Sequence, residues 1–362
     1  MKKKLKIAII GSRGYPFIYS GYETLIKELS EAMVKRGHNV RVYCHRSLFK
    51  KRPKKVNGIE LIYIPSVETK LLSQFINSFL SFVHVCFSKY DIVFAVNSAN
   101  GPFGIFTRIF GKKTCINVDG LEWLRPKWKG IGSLYFKISS KMSTIFFDKV
   151  ITDSFEMQKV YQMKFNSKSS VIAYGPSYVQ KHKIINLKNV YDISPKKYYL
   201  IVGRLIPDNN SKLIIKSFLK SSSSRKLVIV GDDVFKDKYS QETKLLKNNK
   251  IVFTGYIKDQ NKLISLYKNC FAYIHGHEFG GTNPTLVNAL FYDCNILALN
   301  TKFNKEVLIN NNFHFFKKEL NDIINCIDNF ERKKEKEFKN NFPNIYDWSY
   351  IIKKYEDIFM SL

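Results

Sequence analysis

The sequence has no run of 18 uncharged apolar residues, so no segment of it reads as a membrane-spanning helix. Its six cysteines, Cys44, Cys86, Cys115, Cys270, Cys294 and Cys326, form no C-x-x-C pair and have no histidine at zinc spacing. That pattern excludes a zinc ribbon and a disulfide-stapled scaffold, and it fits a reducing compartment. Acidic residues are scarce, 30 Asp+Glu against 59 Lys+Arg, for a formal charge of +29. Residues 1–190 hold 32 basic and 11 acidic side chains, residues 191–362 hold 27 and 19, so the first half is the one that faces something negative. The start MKKKLKIAIIGSRG has the basic opening of a signal peptide, but its apolar stretch stops at Gly11 without a small-residue cleavage site. It reads as the first strand of a cytoplasmic chain.

What is present is a 362-residue chain that is 45% hydrophobic, too long for one ordinary core and too apolar for disorder. Short β-branched runs (LKIAIIG, NVRVYC, IELIYI, DIVFAV, TCINV, KVITDS) alternate with helical patterns, the signature of a parallel sheet wrapped by helices. After YDISPKK the alternation restarts with KYYLIVG, KLVIVG, KIVFTG, CFAYIHG and CNILALN. The expected fold class is α/β, two doubly wound Rossmann-like domains facing across a cleft, over residues 1–192 and 193–342. Residues 343–362 carry an apolar stripe (Ile345, Trp348, Ile351, Ile352, Tyr355, Ile358, Phe359) and read as a helix packing back on the first domain. A second stripe, Leu71, Leu72, Phe75, Ile76, Phe79, Leu80, Val83, Cys86 and Phe87, reads as core, because its polar face lacks the cations of an interfacial helix.

In open α/β sheets ligands sit beyond the carboxyl ends of strands, so chemistry is sought there. The first strand ends in Gly11-Ser12-Arg13-Gly14-Tyr15-Pro16, which is not G-x-G-x-x-G, and NVRVYCHR ends without the acid that holds a ribose. NAD is disfavoured; an NADP site using Arg46, or a plain tight turn, stays open. Gly21-Tyr22-Glu23-Thr24 then opens a helix whose first amides could hold an anion. His275–Asn288 is the strongest local signal: a strand runs into Gly280-Gly281-Thr282, Asn283 stands at a helix N-cap and Pro284 at the first helical position. Free amides beside two glycines form a cradle for a diphosphate or sugar hydroxyls, with Asn288 one turn on pointing the same way; an ordinary capped helix is the plainer alternative. Arg204 follows KYYLIVG at a strand exit, where a fixed cation could neutralise a pyrophosphate or else sit in a surface salt bridge. Asp119 and Glu122 follow TCINV beside Trp123, Arg125, Lys127, Trp128 and Lys129, suggesting sugar handling or general-base work, or a helix cap with a solvated basic loop.

Taken together, IAIIGSRGYP with SGYET, NVDGLEW with RPKW, FFDKVITDS, YYLIVGRLIPDNN and YIHGHEFGGTNPTLVNAL with FNKEVL resemble the retaining GT-B glycosyltransferases of glycosyltransferase family 4. Within them the chain is similar to the bacterial rhamnosyltransferase-like group of capsule and cell-wall polysaccharide synthesis. The resemblance implies a nucleotide-sugar donor in the second domain and the acceptor in the first. It assigns catalysis to Asp119, Glu122 and Arg204. Donor contacts would be Gly14, Arg204, Asn209, Tyr256, His277, Glu278, Gly280, Gly281, Thr282, Asn283 and Asn288. Acceptor contacts would be Tyr15, Gly21, Tyr22, Glu23, Trp123 and Arg125.

Gly280 and Asn288 stand where the wider family has two glutamates, and Asn209 and Asn210 where it has a lysine. The sequence has no D-x-D triplet, so neither a metal nor another cofactor is expected, and Arg204 with a helix N-terminus would hold the diphosphate. The expected reaction moves rhamnose from dTDP-rhamnose to a lipid-diphosphate-linked saccharide, on a cytoplasmic enzyme peripheral to the inner face of the membrane, touching its anionic lipids. Another UDP-, GDP- or dTDP-sugar, or a nucleotide-sugar-binding chain with weakened catalysis, is the alternative. A nucleic-acid partner is not expected, because the lysines are spread rather than gathered on one strip with stacking aromatics.

Overall fold

The alternating strands and helices assemble into two units, Met1–Gly175 with Asn344–Leu362, and Pro176–Pro343. The structure, a computed structural model, describes residues 3–16, 21–66, 72–118, 120–126, 128–177, 182–232, 237–309, 313–332 and 340–362.

The first unit contains β1 (Lys6–Ile10), α1 (Gly21–Lys35), β2 (Asn39–His45), β3 (Lys55–Val56), β4 (Ile59–Ile64), α2 (Leu72–Cys86), β5 (Ile92–Val96), α3 (Gly104–Ile109), β6 (Thr114–Asn117), α4 (Ile131–Phe146), β7 (Lys149–Thr152), α5 (Phe155–Phe165) and β8 (Ser170–Val171). Its sheet runs β3-β4-β2-β1-β5-β6-β7-β8, parallel except for β3 against β4. Strands buried on both faces need continuous apolar runs, and IVFAV of β5 is buried at every position. The strand order reverses at β1 and β5, which makes the loops after those two strands the crevice of this sheet.

The second unit contains α6 (Leu187–Tyr191), β9 (Tyr198–Val202), α7 (Ser211–Lys220), β10 (Lys226–Val230), α8 (Lys238–Lys244), β11 (Ile251–Gly255), α9 (Gln260–Asn269), β12 (Ala272–His275), α10 (Pro284–Phe291), β13 (Ile296–Leu299), α11 (Lys302–Val307), β14 (Phe313–Phe316) and α12 (Leu320–Arg332). All six strands are parallel in the order β11-β10-β9-β12-β13-β14, and the order reverses between β9 and β12. The sequence places the strand exits correctly because each apolar run stops at a glycine or polar turn.

The division between units falls at Gly175 and Pro176, not at Asp192 as the restart of the pattern suggests. Residues 183–192 are already tied into the second unit. Lys183 N donates to Asn261 Oδ1 (2.9 Å), Ile185 N to Ser265 Oγ (3.0 Å), and Asp192 pairs with Lys226 (2.9 Å).

The final helix, α13 (Trp348–Ser361), belongs to the first unit. Asp347 caps it by accepting from Ser349 N at 2.7 Å, and Trp348, Ile351, Tyr355 and Phe359 are buried against Phe94 and its neighbours. Gly175 is required here: a Cβ would lie 2.5 Å from Trp348 Cε2.

One expectation is overturned in part: of the stripe expected as core, Cys86 is buried and Ile76, Leu80 and Val83 are half-buried, but the phenylalanines face outward. In α2 the buried side is Ser73, Asn77, Ser78, Ser81, Phe82, Val85 and Cys86, while Phe75, Phe79 and Phe87 are exposed; Leu71 lies outside the described residues. The reason is hydrogen bonding. Gln74 Nε2 reaches Gly11 O (3.0 Å), Asn77 Nδ2 approaches Ile64 O (3.4 Å), and Ser81 Oγ bonds back to Asn77 O (2.7 Å), so the serine- and asparagine-bearing side of the helix is the one drawn against the neighbouring strands and loops.

Candidate functional site

In the second unit the switch point is framed by two loops, residues 203–210 after β9 and residues 276–283 after β12. Gly203 N donates to Val230 O (2.9 Å), and the chain then turns outward so that Arg204 is exposed. The Arg204 guanidinium has no hydrogen-bond or ion-pair partner among the described residues, which leaves its fork of five donors for a ligand.

Asn209 ties the two loops together. Its Nδ2 donates to Arg204 O (2.8 Å) and its Oδ1 accepts from His277 Nδ1 (2.7 Å), which fixes the proton of His277 on Nδ1. Both ends of the Asn209 amide are therefore engaged within the protein, and it positions Arg204 and His277. Asn210, in the left-handed region at φ 53°, donates to Gly276 O (2.8 Å). Glu278 Oε2 is paired with Lys318 Nζ at 2.6 Å, and Glu278 N donates to Asp208 O (3.0 Å).

Helix α10 starts as the sequence implies. Asn283 Oδ1 accepts from Thr285 N (3.0 Å) and Thr285 Oγ1 (2.8 Å), and Pro284 occupies the first turn. Gly280 sits at φ 112°, a backbone that other residues adopt only under strain, and Gly281 and Thr282 are buried beside it. Behind the cap runs a chain of hydroxyls: Tyr273 OH donates to Thr285 Oγ1 (2.9 Å) and lies 3.0 Å from His275 Nδ1. Burial pushes the His275 imidazole down to about 3, so it is neutral and fixes this chain from within the core.

Asn288 does not turn its carbonyl toward a ligand. It is buried, and its Oδ1 accepts from Ser177 N (2.7 Å), while Tyr292 OH donates to Ser177 O (2.7 Å). An asparagine here holds the irregular segment entering this unit onto α10. Tyr256 follows β11, two strands from β9 at the sheet edge, and is more than half exposed.

In the first unit the crevice loops are residues 11–16 and 97–100. Gly11 (φ 101°) is needed because a Cβ would stand 2.5 Å from both Asn100 Nδ2 and Val96 O. Gly14 packs against Cys44, with a Cβ position 2.8 Å from its Sγ. Tyr15 is not available to an acceptor: it is buried, its hydroxyl donates to Glu31 Oε1 (2.7 Å) and accepts from Asn57 Nδ2 (2.7 Å). Burial and the Glu31 hydrogen bond push its pKa up to about 12. Helix α1 begins at Gly21. Tyr22 stands edge-on to Tyr174 (6.4 Å), and Glu23 is buried with Oε1 accepting from Arg13 N at 3.1 Å.

Glu122, Arg125 and Trp128 form a closed bracket instead of a catalytic acid beside open aromatics. Glu122 Oε1 pairs with Arg125 Nε (3.0 Å), and its Oε2 accepts from Trp128 Nε1 (2.8 Å). Arg125 is buried, and Trp123 is buried against Tyr161 and Phe165. A carboxylate held by a cation is a poor base, so this arrangement opposes a general-base role for Glu122. Asp119 and Lys127 lie outside the described residues.

Sequence reasoning passed over Asn97, Asn100, Lys318 and Asn304. Asn97 (φ 75°) caps its own turn through Ala99 N (2.9 Å), and Asn304 Nδ2 reaches Leu299 O (2.8 Å) and His277 O (3.1 Å). For the first two the signal was available, since NSANG directly follows the DIVFAV strand.

Residues 184–343 match the family Glycosyl transferases group 1, and residues 4–177 match DUF1972, a domain of unknown function. The two Rossmann-like units are a GT-B fold, and the second is the part matched by the glycosyltransferase family model. It is similar to the N-acetylgalactosamine-N,N'-diacetylbacillosaminyl-diphospho-undecaprenol 4-alpha-N-acetylgalactosaminyltransferase of Campylobacter jejuni, 28% identical over 120 residues. That match spans 33% of this chain and 32% of the relative. Sucrose-phosphate synthase from Thermosynechococcus elongatus has the same fold, with a TM-score of 0.79, 14% identity and 99% of each chain covered. Anabaena HepE in complex with UDP and glucose superposes with a TM-score of 0.74 and 15% identity, over 99% of this chain and 100% of that one.

Proposed function

We propose that this chain is a glycosyltransferase of the retaining family 4 rhamnosyltransferase-like group and moves a hexose from a nucleoside-diphosphate sugar to a saccharide carried on a lipid diphosphate. The observation that carries the reading is the Arg204 guanidinium, unpaired among the described residues, and the capped N-terminus of α10, on the loops after adjacent strands β9 and β12. The cation and the amides of Gly280–Asn283 bind the donor's phosphates and stabilise the charge that develops on them. The bond from the sugar C1 to the β-phosphate oxygen breaks as a new C1–O bond forms to the acceptor hydroxyl. The hydroxyl proton goes to the departing phosphate oxygen on the same face, and configuration is retained. With cationic and amide donors in place, and no D-x-D triplet in the sequence, the phosphates need no metal. No covalent nucleophile is invoked.

dTDP-rhamnose is the donor favoured by resemblance. The acceptor class is supported by the Campylobacter relative, whose name describes transfer to a diphospho-undecaprenol saccharide. Such an acceptor places the enzyme at the cytoplasmic face of the membrane, in bacterial surface-polysaccharide synthesis. A thermal-shift panel of dTDP-, UDP- and GDP-sugars tests the donor: at 100 times its Kd the right one adds about 2.7 kcal/mol of stability. If none raises the melting temperature, the donor assignment falls.

A further inference from the structure

Three neighbouring helices of the first unit bury serines and other small side chains and also turn large apolar ones outward. In α4 the buried residues include Ser139, Ser140 and Ser143, while Ile131, Leu134, Ile138 and Ile145, at helical spacing along one face, are exposed. The close approach this allows is visible at Gly101, where a Cβ would stand 2.0 Å from Ser139 O. In α3, Ile105 and Ile109 point outward, and in α2, Phe75 and Phe79. The rows are joined: Phe79 stands edge-on to Phe106 (5.7 Å), Phe87 to Phe110 (5.2 Å), and Arg108 Nη1 donates to Ile145 O (3.0 Å). Exposure reaches 87% at Ile131, 76% at Phe87 and 73% at Ile109, and these side chains lie on helices whose apolar rows are joined, unlike apolar residues scattered singly over a surface.

The charges select the occupant. The sequences of α2, α3 and α4 contain no aspartate or glutamate, and Arg108, Lys137 and Lys141 stand exposed among the apolar side chains. A second copy of the chain packed here about a twofold axis would set cation against cation with no carboxylate to offset them. Lipid phosphates would offset them, and short helices with apolar and cationic groups on one side suit a bilayer surface. None of the helices among the described residues is long and apolar enough to cross a membrane.

We propose that the outer face of α2, α3 and α4 is the surface on which this chain lies on an anionic bilayer, with its apolar side chains among the headgroups and Arg108, Lys137 and Lys141 on lipid phosphates. The proposal deepens the preceding reading, on whose lipid-linked acceptor it rests, by naming the surface that brings the enzyme to that acceptor.

The test is flotation of the full chain with vesicles of phosphatidylglycerol and phosphatidylethanolamine, and with vesicles of phosphatidylcholine alone, without donor or acceptor. Wild type is expected to float with the anionic vesicles and to bind the neutral ones at least about tenfold more weakly. Ile109→Glu/Ile131→Glu/Ile138→Glu and, separately, Lys137→Glu/Lys141→Glu should each lose about tenfold or more in binding. Leu245→Glu, equally exposed in the second unit, should bind as wild type does. Because the altered side chains are exposed, melting temperatures should stay within a degree or two. Transfer to a water-soluble short-chain acceptor should be unchanged, so a failed acceptor assignment is read separately from a failed surface. Three results overturn the proposal: no flotation of wild type with anionic vesicles, undiminished flotation of both variants, or a wild-type dimer in sedimentation that the isoleucine variant dissolves.

Discussion

Glu356, six residues from the end of the sequence, closes on His38, with Nε2 3.2 Å from Oε1. His38 Nδ1 already accepts from Leu5 N (3.1 Å), so the proton sits on Nε2 and points at the carboxylate, whose other oxygen is paired with Arg36. One buried acid thus joins α13, the residues before β2 and the start of β1. Glu356→Ala leaves the buried His38 N–H and the Arg36 charge without their acceptor, and should cost about 3 kcal/mol. Urea unfolding of the full chain measures it, and a loss below about 1 kcal/mol would mean that α13 is held by its apolar face alone.

His275 gives the second unit an acid sensitivity. Burial lowers its pKa to about 3, whereas in the unfolded chain it titrates near 6.5. Between those values the unfolded state binds the extra proton, so this contribution is complete above about pH 6.5 and shrinks as the pH falls toward 3. The slope is about 1.4 kcal/mol per pH unit for one proton. Stability against pH should therefore be flatter between pH 6 and 4 in His275→Gln than in wild type. Parallel curves from chemical denaturation would show that this imidazole protonates freely in the folded protein.

Glu122 tests the bracket it forms with Arg125 and Trp128. A catalytic base replaced by glutamine typically loses about a hundredfold or more in turnover. Here Glu122→Gln should keep turnover within about threefold while losing roughly 1–3 kcal/mol of stability, because it strands the buried Arg125 charge. The pair of measurements separates the two roles, since a base would show the opposite pattern.

The contrast between such residues and those at the strand exits tells what the sequence could disclose. Asn283 and Pro284 were legible because a helix start is written in adjacent residues: the cap, its Thr285 partner and the proline lie within three positions. Strand exits were legible for the same reason, and they located Arg204. Tyr15 and Asn288 were misread because their partners are remote, Glu31 and Asn57 for the first and Ser177 for the second, the last 111 residues away. The α2 stripe was misread in part for another reason. Periodicity reports that a helix has two sides, but which side turns inward depends on the partners it meets there, and at α2 the serine- and asparagine-bearing side is the one drawn against the neighbouring strands and loops.

Asn209 is the residue through which the two crevice loops hold each other. Asn209→Ala removes both bonds, to Arg204 O and His277 Nδ1, and frees the loop carrying the Arg204 cation. The donor's Kd should rise about tenfold, the effect of losing one to two hydrogen bonds that preorganise a site, with a change in stability under about 1.5 kcal/mol. Asn209→Asp keeps the acceptor for His277 and loses only the donor, so it should fall between the two in titration calorimetry. An unchanged Kd in both variants would place the donor away from these loops.

Arg204 carries the strongest expectation. The cation has no protein partner among the described residues, so replacing it strands no buried charge, and Arg204→Ala should fold with wild-type stability. Its effect is on the reaction. One preorganised charge on a departing diphosphate is worth about 3–4 kcal/mol, which lowers kcat by roughly 10²–10³. Arg204→Lys restores the charge without the planar fork, and should recover only part of that loss, since a point charge cannot grip two phosphate oxygens side by side. Single-turnover rates with saturating donor measure the step directly. Equal rates for all three proteins would remove Arg204 from the site and leave the α10 amides to hold the diphosphate alone.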